Sequence, residues 1–480
     1  MSPDSSAVPT GPAPHRAQTN LEEAVAARMG EARADLERLV GMRSVADGVG
    51  EHPTECVRAA EAVADLFAGV GVAGLRTVPT SDGSLAVVGH SPGPAGTPTV
   101  LLYSHYDVQP PGDLAGWTDD PWRLTEREGR WYARGAADCK GNLVMHLTAL
   151  RALRDVDGSW PVGVRVVCEG SEEMSTGGLE ALVRSDPDLF AADVIVVADS
   201  GNVELGVPTI TTSLRGTGSV LLTVRTLERP VHSGALGGPA PDALAALIHI
   251  LSTLRDDDGE TTVDGLAADG AWDGAAYPFD RFRSDAGVLD GVGLLGRGAV
   301  ADLLWARPVA TVLAIDAPSV AGVTAAIQPE ARAVVNLRVP PGVDAAVAQQ
   351  LLVRHLERAA PWGAKVTVEP KTLGQPFAAR TDGPAFGAMG RAMELAYGRP
   401  MVTTGQGGAI PLTVALAKAW PAAEILVLGV EEPACRIHSP GESVHPEELR
   451  RTAVAEALFL RAVAELEPVT TPSAASTLPS

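Results

Sequence analysis

Five stretches of this chain run from apolar residues into side chains able to bind a metal or move a proton. VLLYSHYDVQPP (100–111) ends a buried-strand signal on His105 and Asp107 before two prolines stop it. Alternation along an extended chain puts those two residues on one side, and the pair suits a metal-ligating imidazole oriented by a carboxylate. WYARGAADCKGN (131–142) places Asp138 in a Gly-rich loop before a helix expected to begin near Lys140. VRVVCEGSEEMSTGG (164–178) ends a strand and presents Glu172 and Glu173 as adjacent carboxylates. VIVVADSGN (194–202) ends on Asp199, and CRIHSPGESV (435–444) carries His438 in a loop after another strand. Taken singly, each is a polar turn, or an acid favoured by a helix dipole. Their recurrence after buried strands argues for one shared rim, where open α/β sheets bind ligands.

Two imidazoles and several carboxylates form a mixed N/O set that suits zinc, manganese or cobalt better than calcium or magnesium. Two ions about 3.5–4 Å apart, sharing one carboxylate, would clamp a polarised carbonyl and a bridging hydroxide. Within the Glu172–Glu173 doublet, one carboxylate can ligate while its neighbour takes a proton from water. Such an acidic cluster is costly to bury unless a dication compensates it.

The elements that must carry these residues follow from periodicity. Residues 1–18 are rich in Pro, Ser and Ala and read as a disordered tail; a helix is expected from Leu21, capped by Asn20. Strands at 75–78, 85–89, 100–103, 162–168 and 194–198 alternate with helices at 56–67, 140–153 and 178–183. That alternation predicts an α/β domain with a mainly parallel sheet flanked by helices, over 19–213 and 384–466. Residues 214–383 break the pattern with a β-α-β-β-α-β order, a ferredoxin-like α+β insertion expected to act as a lid or dimerisation domain. A Gly/Asp-rich excursion, 256–308, interrupts it, and 467–480 reads as a second disordered tail.

At 480 residues two domains are expected, and 45% hydrophobic residues is a globular composition. A formal charge of −21 argues against a nucleic-acid partner. No apolar run is long enough to span a membrane, and the start of the chain lacks a secretory signal. The four cysteines, Cys56, Cys139, Cys168 and Cys435, have no disulfide or CxxC spacing. A cytoplasmic location with free thiols is the expectation.

The stretches HYDVQP, GAADCKG and EEMSTGG together resemble the co-catalytic, two-metal metallopeptidases that include cytosolic dipeptidases, carnosinases, aminoacylases and glutamate carboxypeptidase. The resemblance extends over about 21–466. It implies that His105, Asp138 and Asp199 hold one ion, with Asp138 bridging to a second completed by Glu173 and His438. Zinc is the first expectation, with manganese or cobalt possible. Asp107 matches the acid that orients the histidine, and Glu172 matches the general base. Asp199, where aminoacylases and carboxypeptidases tend to carry Glu, points to a dipeptidase acting on small peptides. Arg338 in VVNLRVP resembles the arginine that grips the substrate's terminal carboxylate, a task suited to a guanidinium fork. His232 in RPVHSG resembles the lid histidine that reaches a partner's active site in a homodimer. GQGGAIP (405–411) resembles the substrate loop through Gly407, Gly408 and Ala409, although Ala409 stands for the usual Ser. Gly405 and Gln406 likewise replace an Arg-Glu pair.

Three rival readings differ in class. An N-acyl-amino-acid amidohydrolase would share the metal site. A catalytically dead binding protein would keep the fold without taking up metal. GVGLLG (291–296) is formally a GxGxxG dinucleotide fingerprint, but no buried strand precedes it, so an oxidoreductase is a distant alternative. His146 and His249 are expected to be helical and structural, Cys139 to be a small helix-start residue, and His445 to begin a helix.

Overall fold

The computed structural model describes residues 14–46, 52–408 and 410–469, in two compact units. The first unit comprises 14–211, 379–402 and 415–469 of these, and the second 212–378 and 403–414. Among the described residues no helix is long and apolar enough to cross a membrane.

The first unit is α/β. Its sheet runs in the order Arg76–Pro79, Leu85–Ser91, Gly163–Glu169, Thr99–His105, Val194–Ala198, Glu424–Leu428, then the start of Thr209–Leu214. The four strands from Gly163–Glu169 to Glu424–Leu428 are mutually parallel, and the flanking ones are antiparallel. VIVVA at 194–198 is wholly buried, as expected of a central strand covered on both faces. In-register pairing of His105 with Glu169 and of Leu428 with Ala198 brings the carboxyl ends of these strands to one rim.

Helices Pro14–Val40, Lys140–Asp157 and Pro446–Val463 pack together over this sheet. Lys140–Asp157 ends where Gly158 adopts a left-handed φ of 77°, which glycine accepts without a Cβ clash. Lys140 itself is fully buried, and its ammonium donates to the carbonyls of Leu39 and Met42 at 3.0 and 2.9 Å. Burial takes its pKa down to about 8. His445 accepts the N–H of Glu447 at the start of Pro446–Val463, and His146 lies in the core between Glu456 (2.6 Å) and the Tyr103 carbonyl (3.2 Å). Both are structural histidines, as expected; His249 is exposed on the helix Ala243–Ser252.

The first helix corrects one expectation. It begins at Pro14, so residues 14–18 are helical and Asn20 is interior to the helix, not its cap. Proline is well suited to a first helical turn, and Gln18 extends the helix by donating to Glu22 one turn on, at 2.9 Å. Residues 1–13 and 470–480 lie outside the described residues. A small sheet of Ser443–Val444, Arg130–Tyr132 and Thr125–Arg127 was not anticipated, because each strand is only two or three residues long.

The second unit carries a four-stranded antiparallel sheet in the order Val309–Asp316, Glu330–Val339, Gly216–Arg225, Lys365–Gly374. Helices Ala243–Ser252 and Ala345–Arg358 cover one face, burying Val220, Leu222, Val335, Leu337 and Leu352. This is the β-α-β-β-α-β arrangement. Its limits differ from 214–383, since residues 403–414 return to it: strand Val402–Gln406 pairs with Thr209–Leu214, and the Arg215 N–H donates to the Gln406 carbonyl. The 256–308 excursion is folded, with Trp305 against Trp272 and Tyr277 at ring distances of 5.2 and 5.9 Å. No strand leads into GVGLLG, so the dinucleotide reading loses its required context.

Candidate metal centre

The first unit gathers His105, Asp107, Asp138, Glu172, Glu173, Asp199 and His438 at the carboxyl rim of its parallel strands. His105 closes its strand and is fully buried, with Nε2 lying 3.1 Å from Asp138 Oδ1 and 3.2 Å from Asp199 Oδ1. On the other side of Asp138, Oδ2 lies 2.9 Å from His438 Nε2, which is 3.1 Å from Glu173 Oε2. The two oxygens of one carboxylate thus face two separate donor groups.

Asp107 does more than sit beside His105. Its Oδ1 is 3.3 Å from His105 Nδ1, and its carboxylate also accepts the backbone N–H groups of Glu172 and Glu173 at 3.1 and 3.0 Å. One buried acid therefore positions both the imidazole and the acidic doublet. Glu173 is further held by Gln109, whose backbone and side-chain N–H groups donate to its carboxylate at 3.2 and 3.0 Å. Glu172 belongs to neither donor group and accepts no hydrogen bond on its carboxylate among the described residues. Burial, then the charge of Asp199, pushes its pKa well above the ordinary carboxylate value. A carboxylate raised this way is a better proton acceptor.

Asp138 shows the opposite balance. Burial raises its pKa, but the hydrogen bonds from His105 and His438 outweigh burial and hold it well below the usual range. Its loop is moulded by Glu442, a residue that the sequence reading missed. The Glu442 carboxylate accepts N–H groups from Gly135, Ala137 and Asp138 at 3.0, 3.1 and 3.1 Å and pairs with buried Arg134 at 2.5 Å. No local pattern advertises this contact, since Glu442 lies beyond His438 in a Gly/Pro turn.

Two further side chains adjoin the cluster. Glu431, buried and steadied by Asn142 at 3.3 Å, forms a possible ligand group with Asp138 and Asp199. Cys139 forms another with His105 and Asp199, while its thiol donates to the Ala198 carbonyl at 3.0 Å. Among the described residues only histidines form ion pairs with Asp138, Asp199 and Glu173. Buried carboxylates in such number without Arg or Lys fit a site completed by divalent cations.

The other expected site residues lie in the second unit. His232 is exposed in a two-residue strand paired with Ala326–Ile327, its Nδ1 accepting the Ala235 N–H at 3.1 Å. Arg338 is half-buried on Glu330–Val339. Gly407 approaches Arg215 so closely that a Cβ there would meet Nη2 at 2.9 Å, whereas Gly408 faces open space. Ala409 lies outside the described residues.

Comparisons with known proteins agree on the lineage. The profile of peptidase family M20/M25/M40 matches residues 101–462. A cysteinylglycine-S-conjugate dipeptidase of Corynebacterium striatum is 47% identical over 386 residues, 80% of this chain and 85% of that one. A Beta-Ala-His dipeptidase of Homo sapiens is 36% identical over 170 residues, 35% of this chain and 34% of that one. The crystal structure of human carnosine dipeptidase 1 superposes with a TM-score of 0.79 at 23% identity, covering 94% of this chain and 99% of that one, a likeness of fold. With its family profile spanning most of the sequence and a relative nearly half identical, this chain belongs to peptidase family M20/M25/M40.

Proposed function

We propose that this chain is a metal-dependent dipeptidase, with His105, Asp138 and Asp199 holding one divalent ion and Asp138, Glu173 and His438 a second. The observation that carries this reading is the division of the two Asp138 oxygens between separate donor groups. Bound ions would polarise a peptide carbonyl and make a water more acidic. Glu172 takes the proton from that water and returns it to the leaving amine. Asp107 keeps His105 oriented and locks the Glu172 backbone, so that its carboxylate stays positioned. Arg338, with no acid partner among the described residues, supplies a guanidinium for the peptide's terminal carboxylate. Zinc is the ion that we favour.

The 47% identical relative makes Cys-Gly and its S-substituted forms the first substrates to try, with β-Ala-His beside them. The N-acetyl forms of the same amino acids test the amidohydrolase reading. Dipeptide hydrolysis should disappear with a chelator and return with zinc or manganese. Turnover of N-acetyl amino acids alone would replace the dipeptidase reading, and activity indifferent to chelation would end the metal mechanism.

The same reading makes the second unit a dimerisation domain that presents His232 to a partner's site. Its exposure, with Nδ1 committed to Ala235, leaves Nε2 free to donate to an oxyanion. His232→Ala should lower kcat about 10²–10³-fold. Mixed with Glu172→Gln under subunit exchange, it should regain activity, because the hybrid dimer has one site with both residues intact. No recovery, with exchange confirmed by native mass spectrometry, would place His232 outside the partner's site.

A further inference from the structure

The second unit contains a cavity of about 390 Å³ built largely from the 256–308 excursion. Phe282, Val288, Leu294, Leu303, Leu304 and Val309 give it apolar walls, and the GVGLLG run contributes one side. Three arginines also line it. Arg255 is used structurally, donating to the carbonyls of Gly259 and Ala310 at 2.6 and 2.9 Å. So is Arg307, which donates to Gly270 at 2.9 Å and pairs with Glu260 at 3.0 Å.

Arg215 differs. Its Nε is buried without a hydrogen-bond partner, and its guanidinium forms no ion pair among the described residues. Burial, then the nearby charge of Arg338, takes its pKa down to about 10. The two arginines are neighbours: Arg338 pairs with Thr217 in the antiparallel sheet, and Arg215 lies just ahead of that strand, Gly216–Arg225. Arg338 has no acid partner there either. A chain of net charge −21 has many carboxylates to spare, yet leaves this corner with two uncompensated cations. Partly buried charge without a partner carries a desolvation cost, and a bound anion would offset it.

We propose that this cavity is a binding site for an amphipathic carboxylate, whose apolar body fills the space while its head is held by Arg215. A planar guanidinium accommodates a carboxylate by paired N–H donors, and the apolar walls reward a hydrocarbon or aryl body. Such a ligand could be a separate acid, or a peptide substrate bearing a bulky apolar side chain.

The test is calorimetric titration of the full-length protein with 4-phenylbutyrate, with 4-phenylbutanol as the uncharged control. The acid should bind saturably and the alcohol at least about tenfold more weakly, the scale of a lost charged hydrogen bond. Arg215→Gln should weaken acid binding about 10- to 100-fold, with Arg215→Lys retaining part of it. Gly293→Phe, at a lining position where a Cβ meets nothing within 4 Å, should weaken acid and alcohol alike by filling space. Because heat of binding needs no turnover, the result is independent of the dipeptidase reading. Competition between 4-phenylbutyrate and an S-benzyl Cys-Gly peptide would identify the substrate as the source of the ligand, and binding without competition a separate acid. Absence of saturable acid binding below about 1 mM, or equal affinity in wild type, Arg215→Gln and Gly293→Phe, would overturn the proposal.

Discussion

Asp138→Ala protein is expected to purify with neither divalent ion and without measurable peptidase activity. The argument is geometric: Oδ1 of Asp138 faces His105 and Oδ2 faces His438, so a single truncation withdraws a ligand from both positions. The loop itself should persist, because Glu442 holds the backbone N–H groups of Gly135, Ala137 and Asp138, none of which the substitution touches. Circular dichroism should therefore be unchanged while elemental mass spectrometry reads near-zero metal. Losing both ions removes several kcal/mol of transition-state stabilisation, which corresponds to a rate loss of about 10³-fold or more. Asp199→Ala provides the contrast. Asp199 lies on the His105 side of Asp138 and forms no ion pair with His438 among the described residues, so that variant should lose one ion and keep the other. Full occupancy in Asp138→Ala, or equal losses in the two variants, would refute the bridging assignment.

Glu172→Gln should have the second largest effect, of a different kind. The amide keeps the size of the side chain and leaves the backbone N–H that donates to Asp107, so the orientation of His105 is undisturbed. Metal content should stay near the wild-type level. What is lost is a proton acceptor, and removal of a positioned base costs about 10²–10⁴ in rate. The fall should appear in kcat, with KM little changed, because Glu172 acts on the reacting water and not on the substrate's ground state. Its neighbour should behave in reverse: Glu173→Gln removes the carboxylate beside His438 and should first lower occupancy of one site. An active Glu172→Gln enzyme with depleted metal would exchange the two roles.

The candidate site was legible in the sequence because its residues are marked locally. His105 and Asp107 are two residues apart on an extended chain, Glu172 and Glu173 are adjacent, and each follows an apolar run that reads as a strand. The same local logic predicted the alternating α/β order and the β-α-β-β-α-β insertion, since side-chain periodicity survives in any short window. The first helix was read too short because its first turn is polar, leaving no apolar period to mark it. The tertiary structure alone decided how distant pieces meet. The parallel order of the Gly163–Glu169, Thr99–His105, Val194–Ala198 and Glu424–Leu428 strands turns separate polar ends into one cluster. Asp138 meets His438 across 300 residues of sequence and meets Glu442 across 304. Likewise, only the fold brings Arg215, just ahead of the strand Gly216–Arg225, beside Arg338, neither of them ion-paired among the described residues. Contacts of this span leave no period in the chain. The carboxylate contacts exist because buried acids must find partners when strands and helices close over them.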